Sequence, residues 1–438
     1  MIYFYYDQII EGQPAPNGSR NIGLTKDVRR VPYYKGYDAS SCIAKFTTFY
    51  FTMKSHKVNV ELFTNKETKK NLYYPIELNH TYYGWNRSWI NLVSAKAKKF
   101  IRKKKMRLLI LAPRVSGNAF IISQMKIRID ELVESGIPKD RIHVVLGELK
   151  DVYKPLLDLK NVYGFDWWQV YMQTVCKVRS GESSLHWISH DDNFLKKSND
   201  IPLDYGSNPP KKLFNVVPSH HAKHDITLLL ELANRKLLEK GSFTFNHNNY
   251  KLDNTDPKSL FNARKSSVET EHKKGLIKNL EQFSNGVIDQ SDKLSYDKDE
   301  YNNSTLSIIC EENDLQPFGY YSQELAALRA GPRIWQHIAL GHPFMVLGTV
   351  NTVSYLNNEG YFSYNDLLIR QTYDSTYDPA IRSEQIVDNI EFLDSLSQEE
   401  INNRIHEVTP FVKKNREKFF NKRMEGKFIQ LFVDMRQE

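Results

Sequence analysis

Two runs in this chain are wholly apolar and too short for a helix: Leu108-Leu-Ile-Leu-Ala112 and Phe344-Met-Val-Leu347. A strand wetted on one face alternates apolar and polar residues, so an unbroken apolar run demands cover on both faces, the condition of a central strand in a parallel sheet. Parallel strands need crossover connections, usually helices. The neighbouring sequence supplies them: Ala119 to Ser135 carries apolar residues at helical period, Gly136 ends it, and Ile142-His-Val-Val-Leu-Gly147 is the next strand. In the second region Ile334, Trp335, Ile338 and Ala339 fall at helical spacing, Gly341 is placed to close that helix in a left-handed conformation, and Gly348 closes the strand that follows. Strand, helix and strand joined by short loops predict α/β folding in both halves of the chain.

A chain of 438 residues is long enough for two domains, each with its own core. The polar, turn-rich run from Lys196 to Lys212, with Pro202, Gly206, Pro209 and Pro210, marks the boundary between them. Residues 1–205 form an N-terminal domain with extra strands, expected at the N-terminus, across Ser41 to Thr52 and at Val58 to Phe63, and a helix from Ser88 to Arg102. Residues 206–395 form the second domain, with strands at Leu213 to Val217 and Thr305 to Cys310, a helix from His224 to Lys240 capped by Gly241, and a polar insertion near 246–303 around a helix at Thr270 to Phe283. Residues 396–438 form a helical tail, opened by the capping-box spacing of Ser397-Gln-Glu-Glu400 and expected to bend at Pro410.

No apolar run approaches the roughly twenty residues of a membrane span. The start, Met1-Ile-Tyr-Phe-Tyr-Tyr-Asp7, reads as a strand rather than a signal peptide, and Cys42, Cys176 and Cys310 are few and far apart, so a cytoplasmic, reducing compartment is expected. The formal net charge of +8 favours anionic partners. Much of it lies in two blocks, Lys96 to Lys105 and Lys413 to Arg423, which read either as solvated helix faces or as nucleic-acid patches.

Three constellations can carry chemistry. Ser219-His-His-Ala-Lys-His-Asp225 follows a strand and opens a helix, where backbone amides with Lys223, His220 and His221 suit an anion; His220, His221 and His224 can also be read as metal ligands, or the segment as a solvated loop. Glu311, Glu312, Glu324, Arg333 and His342 lie near the ends of predicted elements, where a carboxylate can take ribose hydroxyls and an arginine can neutralise phosphates, or where Glu324 and Arg333 are simply exposed helix residues. His190-Asp-Asp192 sits in a polar loop without metal-site spacing. Walker loops, nucleophile elbows and zinc spacings are absent from the sequence.

The order of these pieces resembles a group of GT-B glycosyltransferase-like proteins, frequent in bacteriophages and other large viruses. In that group a strand ends in an Asn-Arg-rich loop leading into a helix, and a later Ser/Thr-Glu-Lys-Thr turn opens a helix that runs into Gly-His-Pro-Phe and a strand ending in glycine. Leu213-Phe-Asn-Val-Val-Pro-Ser-His-His-Ala-Lys-His-Asp225 takes the first place and Arg333 to Gly348 the second; Tyr355 to Phe362 and Tyr373 to Arg382 are also similar. The resemblance implies two Rossmann-like domains facing a cleft and transfer of a sugar from a nucleotide-sugar donor, without a metal, to an acceptor that the basic balance allows to be DNA. Lys223, His220 and His221 stand for the arginines of the first loop, Arg333 for the lysine and, Pro332 standing in the turn itself, Glu324 for the glutamate; His342 belongs to the second motif. A general base is expected from the N-terminal domain, with Asp166 and His143 as candidates. The alternative is a catalytically inactive descendant with a structural or nucleic-acid-binding role. The place of action is then cytoplasmic, in a host cell if the protein is viral, or the virion.

Overall fold

A computed structural model describes residues 2–5, 49, 52–53, 56–63, 72–77, 89–93, 95–112, 119–147, 157–177, 209–217, 223–243, 301–311 and 330–437. They belong to two compact units, Met1–Ser189 with Lys422–Glu438, and His190–Asn421.

The first unit is built on a six-stranded sheet, β1 (Ile2–Tyr5), β2 (Val60–Phe63), β3 (Leu72–Glu77), β4 (Arg107–Ala112), β5 (Ile142–Leu146) and β6 (Val162–Gly164), in the order β2-β1-β3-β4-β5-β6. Every pair is parallel. The apolar run Leu108 to Ala112 of β4 and the whole of the adjoining β5 are buried, as two-sided cover requires. Helix α1 (Ala95–Arg102) turns Ala97 and Ile101 inward, and α2 (Ala119–Glu134) buries Ile122, Met125, Ile129 and Leu132 at steps of three and four. Gly136, at φ 91°, ends α2 as its sequence position predicts. Helix α3 (Trp167–Lys177) buries Trp167, which stacks on Phe49 at 5.5 Å, so that tryptophan serves the core.

Two readings of this region change. Of the strand expected across Ser41 to Thr52 the described residues are Phe49 and Thr52; both, like Met53, are helical, and bonds from the His56 and Val58 amides to the carbonyls of Thr52 and Met53 close the turn. Aromatic packing of Phe49 against Trp167 and Phe165 outweighs the β propensity of the segment. The helix expected from Ser88 to Arg102 is divided into a short 3-10 turn at Trp89–Leu92 and α1.

The second unit has a four-stranded parallel sheet, β7 (Lys212–Val217), β8 (Gly241–Phe243), β9 (Ser304–Cys310) and β10 (Phe344–Leu347), in the order β10-β9-β7-β8. All seven residues of β9 are buried. Helix α4 (Lys223–Asn234) packs Leu228, Leu229 and Leu232 inward, α5 (Pro332–Leu340) is buried from Arg333 onward, and α6 (Thr352–Asn358) and α7 (Pro379–Asp394) complete the cover. Arg235 ties α4 to α7 through Asp388 and Glu391 while also holding Glu231 at 3.0 Å. Helix α4 is shorter than the sequence suggests: Lys236 takes a left-handed conformation after it, and Gly241 opens β8 instead of capping a helix. A side chain at Gly241 would lie 2.1 Å from the Phe214 ring, which is why glycine stands there.

The tail begins as its spacing predicts. The Glu400 amide donates to the Ser397 hydroxyl oxygen, and the Glu400 carboxylate accepts from the Ser397 amide at 2.8 Å and from its hydroxyl, bonds that hold the carboxyl below its usual range. Helix α8 (Gln398–Asn421) then runs through Pro410 and stops eleven residues later, because Ile405, Val408, Val412 and Phe419 stay buried on one face. The chain returns to the first unit as α9 (Glu425–Gln437). Phe428 meets Phe165 at 4.9 Å and Phe49 at 5.5 Å, and Phe432 meets Tyr73 at 5.3 Å. Replacing the fully buried Phe428 by Ala should therefore cost the first unit about 3–5 kcal/mol. Denaturant unfolding followed by tryptophan fluorescence, with Trp167 and Trp89 as reporters, checks this.

Candidate functional site

In the second unit β7 has β8 on one side and β9 on the other, so the direction of winding reverses at β7. Open α/β sheets take their ligands outside the carboxyl ends of the strands at such a reversal. The described residues at this edge are Val217, the start of α4 at Lys223, Cys310 and Glu311 after β9, Gly331 to Arg333 at the start of α5, and Gly348 to Thr352 after β10.

Glu311 is only 4% exposed, and its carboxylate lies against Gly331, the N-cap of α5. A Cβ on Gly331 would come within 1.7 Å of Glu311 Oε2, so the absence of a side chain there gives the carboxylate its place. Gly348 packs on the stem of the same glutamate, where an added Cβ would meet Glu311 Cβ at 3.1 Å. A carboxylate beside a helix N-terminus is favoured by the helix dipole. Arg333, also 4% exposed, donates from Nη1 to the Cys310 carbonyl at 2.8 Å and pins the start of α5 to the end of β9. Proline at N1 suits that start, having no amide hydrogen to leave unbonded.

The next helix at this edge is held in the same manner. Asp374 accepts from the Val353 amide at 3.0 Å and the Ser354 amide at 2.9 Å, capping α6 from a distant segment. Arg382, 1% exposed, donates to the carbonyls of Gly348 and Thr376 and fixes that segment to the end of β10. Asp374, Arg382, Gly331 and Gly348 were not singled out by sequence reasoning as site residues; for Asp374 and Arg382 the signal was the likeness running from Tyr373 to Arg382, and for the two glycines their places at the start and end of the second motif.

The structure separates residues that the sequence grouped. His342 sits at the amino end of β9, with Nδ1 at 3.1 Å from the Ser307 hydroxyl and Nε2 near the carbonyls of Tyr301 and Ser304. Those partners make Nε2 the protonated nitrogen and Nδ1 the acceptor. The strand runs from Ser304 to Cys310, about 20 Å at the usual rise per residue, so His342 and Glu311 lie at opposite ends of it. His342 thus stands outside the carboxyl edge, its ring nitrogens engaged in the fold. Burial lowers its pKa to about 4. His337, on α5, is fully buried with Nδ1 on the Arg333 carbonyl, and burial lowers its pKa to about 3. Lys223 is the first residue of α4; Glu312, Glu324, His220, His221 and His190-Asp-Asp192 lie outside the described residues.

The two candidates for a base occupy different ends of the first sheet. His143 lies within β5, opposite Leu109 of β4, stacked on Tyr163 at 5.9 Å. Burial, reinforced by Arg107 and Arg141, lowers its pKa to about 3, too weak a base for work near neutrality. Asp166 stands just beyond the carboxyl end of β6, accepts from the Gln169 amide at 3.2 Å and faces Lys427 at 3.5 Å. Among the described residues no group of three or more His, Cys, Asp or Glu is placed to hold a metal ion, and no helix is long and apolar enough to cross a membrane.

No family model and no curated protein matches the chain. Among solved structures it is similar to an alpha,alpha-trehalose-phosphate synthase (UDP-forming) from Burkholderia vietnamiensis, at 10% identity over 84% of this chain and 72% of that one, with a TM-score of 0.35.

Gly331→Ala should destabilise the second unit by about 1–3 kcal/mol by forcing the Glu311 carboxylate aside. Glu311→Ala in the same chain should recover part of that loss, and an additive double-mutant cycle would show that the two do not interlock. The histidines generate a pH prediction. His342 is held neutral with a folded pKa of about 4 against 6.5 in the unfolded chain, so its contribution is complete above that higher value and is lost as pH falls toward the lower one. Stability should decline below that upper value by up to about 1.4 kcal/mol per pH unit for each such histidine. His342→Gln should flatten the slope by one proton in urea titrations across that range.

Proposed function

We propose that the chain is a sugar transferase of the two-domain, Rossmann-like kind, taking a nucleotide-sugar donor at the carboxyl edge of the second sheet. The supporting observation is the reversal of winding at β7, with α4 beginning at Lys223 on one side and Glu311, Gly331 and Arg333 on the other. Lys223, with His220 and His221 just before it, supplies cations and helix amides for the diphosphate. Arg333 acts from beneath, as the buried cation that fixes α5, and Glu324 remains the carboxylate proposed for the ribose. Fixed positive groups and helix dipoles stabilise the charge that develops on a departing nucleotide diphosphate. Asp166, at the carboxyl edge of its own sheet, is the better-placed of the two proposed bases. DNA and a glycan are the two acceptors proposed, on the basic balance of the chain.

A second reading is favoured by one feature of the same edge. Arg333 and Arg382 both donate to backbone carbonyls, and the Glu311 carboxylate occupies the space beside Gly331, the N-cap of α5. A site so packed by its own chain suits a catalytically inactive protein with a structural or nucleic-acid-binding role.

Thermal unfolding with a panel of nucleotide sugars and nucleoside diphosphates tests the proposal. Occupancy at a hundredfold excess over Kd should add about 2.7 kcal/mol, a rise of several degrees, and Lys223→Ala should reduce that rise. No response to any nucleotide at millimolar concentration would sink the donor site. Stabilisation without release of free sugar or transfer to any acceptor would favour the second reading.

A further inference from the structure

Between Lys96 and Arg107 the chain carries eight cations and no carboxylate, as many positive charges as the whole chain's formal excess of +8. The rest of the sequence is therefore balanced, and the fold determines what this segment can meet. It forms α1 and the tight turn into β4, where Lys104 adopts φ 56°. Lys99, Arg102, Lys103, Lys104 and Lys105 are all exposed there.

The turn lies at the amino-terminal edge of the first sheet, the edge away from the carboxyl ends of its strands. Arg102 fastens it to the neighbouring turn by donating to the carbonyls of Ser135 and Gly136, and Lys104 reaches Asp140 at 3.6 Å. That second turn adds Lys139 and Arg141 beside the start of β5. The result is a basic ridge over two adjacent strand entrances. Among the described residues its ion pairs are few: Lys104 and Arg141 with Asp140, and Lys139 with Asp158. Lys99, Lys103 and Lys105 form no ion pair with any described residue.

Cations near a helix C-terminus complement its dipole, but one or two suffice for that. Here they also repel one another, since Lys98 and Arg102 stand four residues apart on α1, and Lys103, whose amide bonds the Lys99 carbonyl, follows Lys99 at the same spacing. Burial and the charge of Arg102 lower the Lys98 pKa. Insertion of α1 into a membrane interface would need an exposed apolar face, whereas Ala97 and Ile101 are buried and Phe100 packs edge-on against Tyr5 at 6.0 Å. A polyanion with regularly spaced phosphates needs only the exposed cations.

We propose that the ridge formed by Lys99, Arg102, Lys103, Lys104 and Lys105 is a nucleic-acid backbone-binding surface, separate from the donor edge of the second unit. It reads no sequence and holds the polymer through counterion release. Filter binding of duplex DNA across a salt series tests this on the full chain. The triple variant K103Q/K104Q/K105Q should weaken binding and reduce the slope of log K against log salt by roughly two to three. The control K413Q/K414Q, which removes exposed charge from α8 instead, should leave the slope within about one of the unchanged protein. Losses in proportion to the three and two charges removed would make the effect one of net charge and overturn the surface, as would absence of DNA binding by the unchanged protein. Binding to phosphatidylserine vesicles with none to DNA would transfer the ridge to a membrane and overturn the proposal too. Circular dichroism confirms that the triple variant folds. Nucleotide-sugar stabilisation, measured on the same proteins, reports on the donor edge independently.

Discussion

The constraint on which the molecule rests is the parallel ladder. Because strands such as β4 and β9 bond to parallel neighbours on both sides, each must be covered on two faces, and each connection must cross from one end of the sheet to the other. All carboxyl ends then gather at one edge and all amino ends at the other. The chemistry sorts with them: Glu311, Arg333 and Asp374 near the carboxyl edge of one sheet, and the lysine-rich turns at the amino edge of the other.

At the carboxyl edge of the second sheet, order is maintained by charged groups acting on the backbone. Arg333 and Arg382 each bind a carbonyl, and Asp374 binds two amides. Such bonds join an ionised group to a backbone dipole, and inside a protein they are stronger than neutral ones. They fix where α5 and α6 begin, and hence the shape of the edge. Their rigidity is also why the same edge supports two functional readings: a preorganised site and a filled one are built from the same bonds.

Much of the architecture was legible because burial on both faces leaves an unmistakable pattern. Leu108 to Ala112, Phe344 to Leu347 and the Gly341 stop could be read directly. β3 could not. Pro75 stands in its middle, and it is accommodated because pairing with β1 involves only Leu72 and Tyr73, leaving the proline beyond that neighbour. Phe49 was misread because its partners, Trp167 and Phe428, lie more than a hundred residues away. The site was less legible still. Arg333 and Glu311 could be named, but their relation depends on the missing side chain of Gly331, and no periodicity marks an empty space. His342 was grouped with them by closeness in sequence, whereas a strand's length separates it from that edge in space.

Helix α9 adds a temporal consequence. Its aromatic residues complete the core that also holds Phe4 and Phe49, yet they are synthesised only after the whole of the second unit. During translation the first sheet must therefore wait, with Phe165 and Tyr73 uncovered, while more than two hundred residues are added. A nascent chain in that state exposes apolar surface for as long as the ribosome takes to traverse the second unit, on the order of ten seconds or more at bacterial elongation rates. A chain cut before Glu425 lacks Phe428 and Phe432, and with them the aromatic cover of Phe165 and Tyr73.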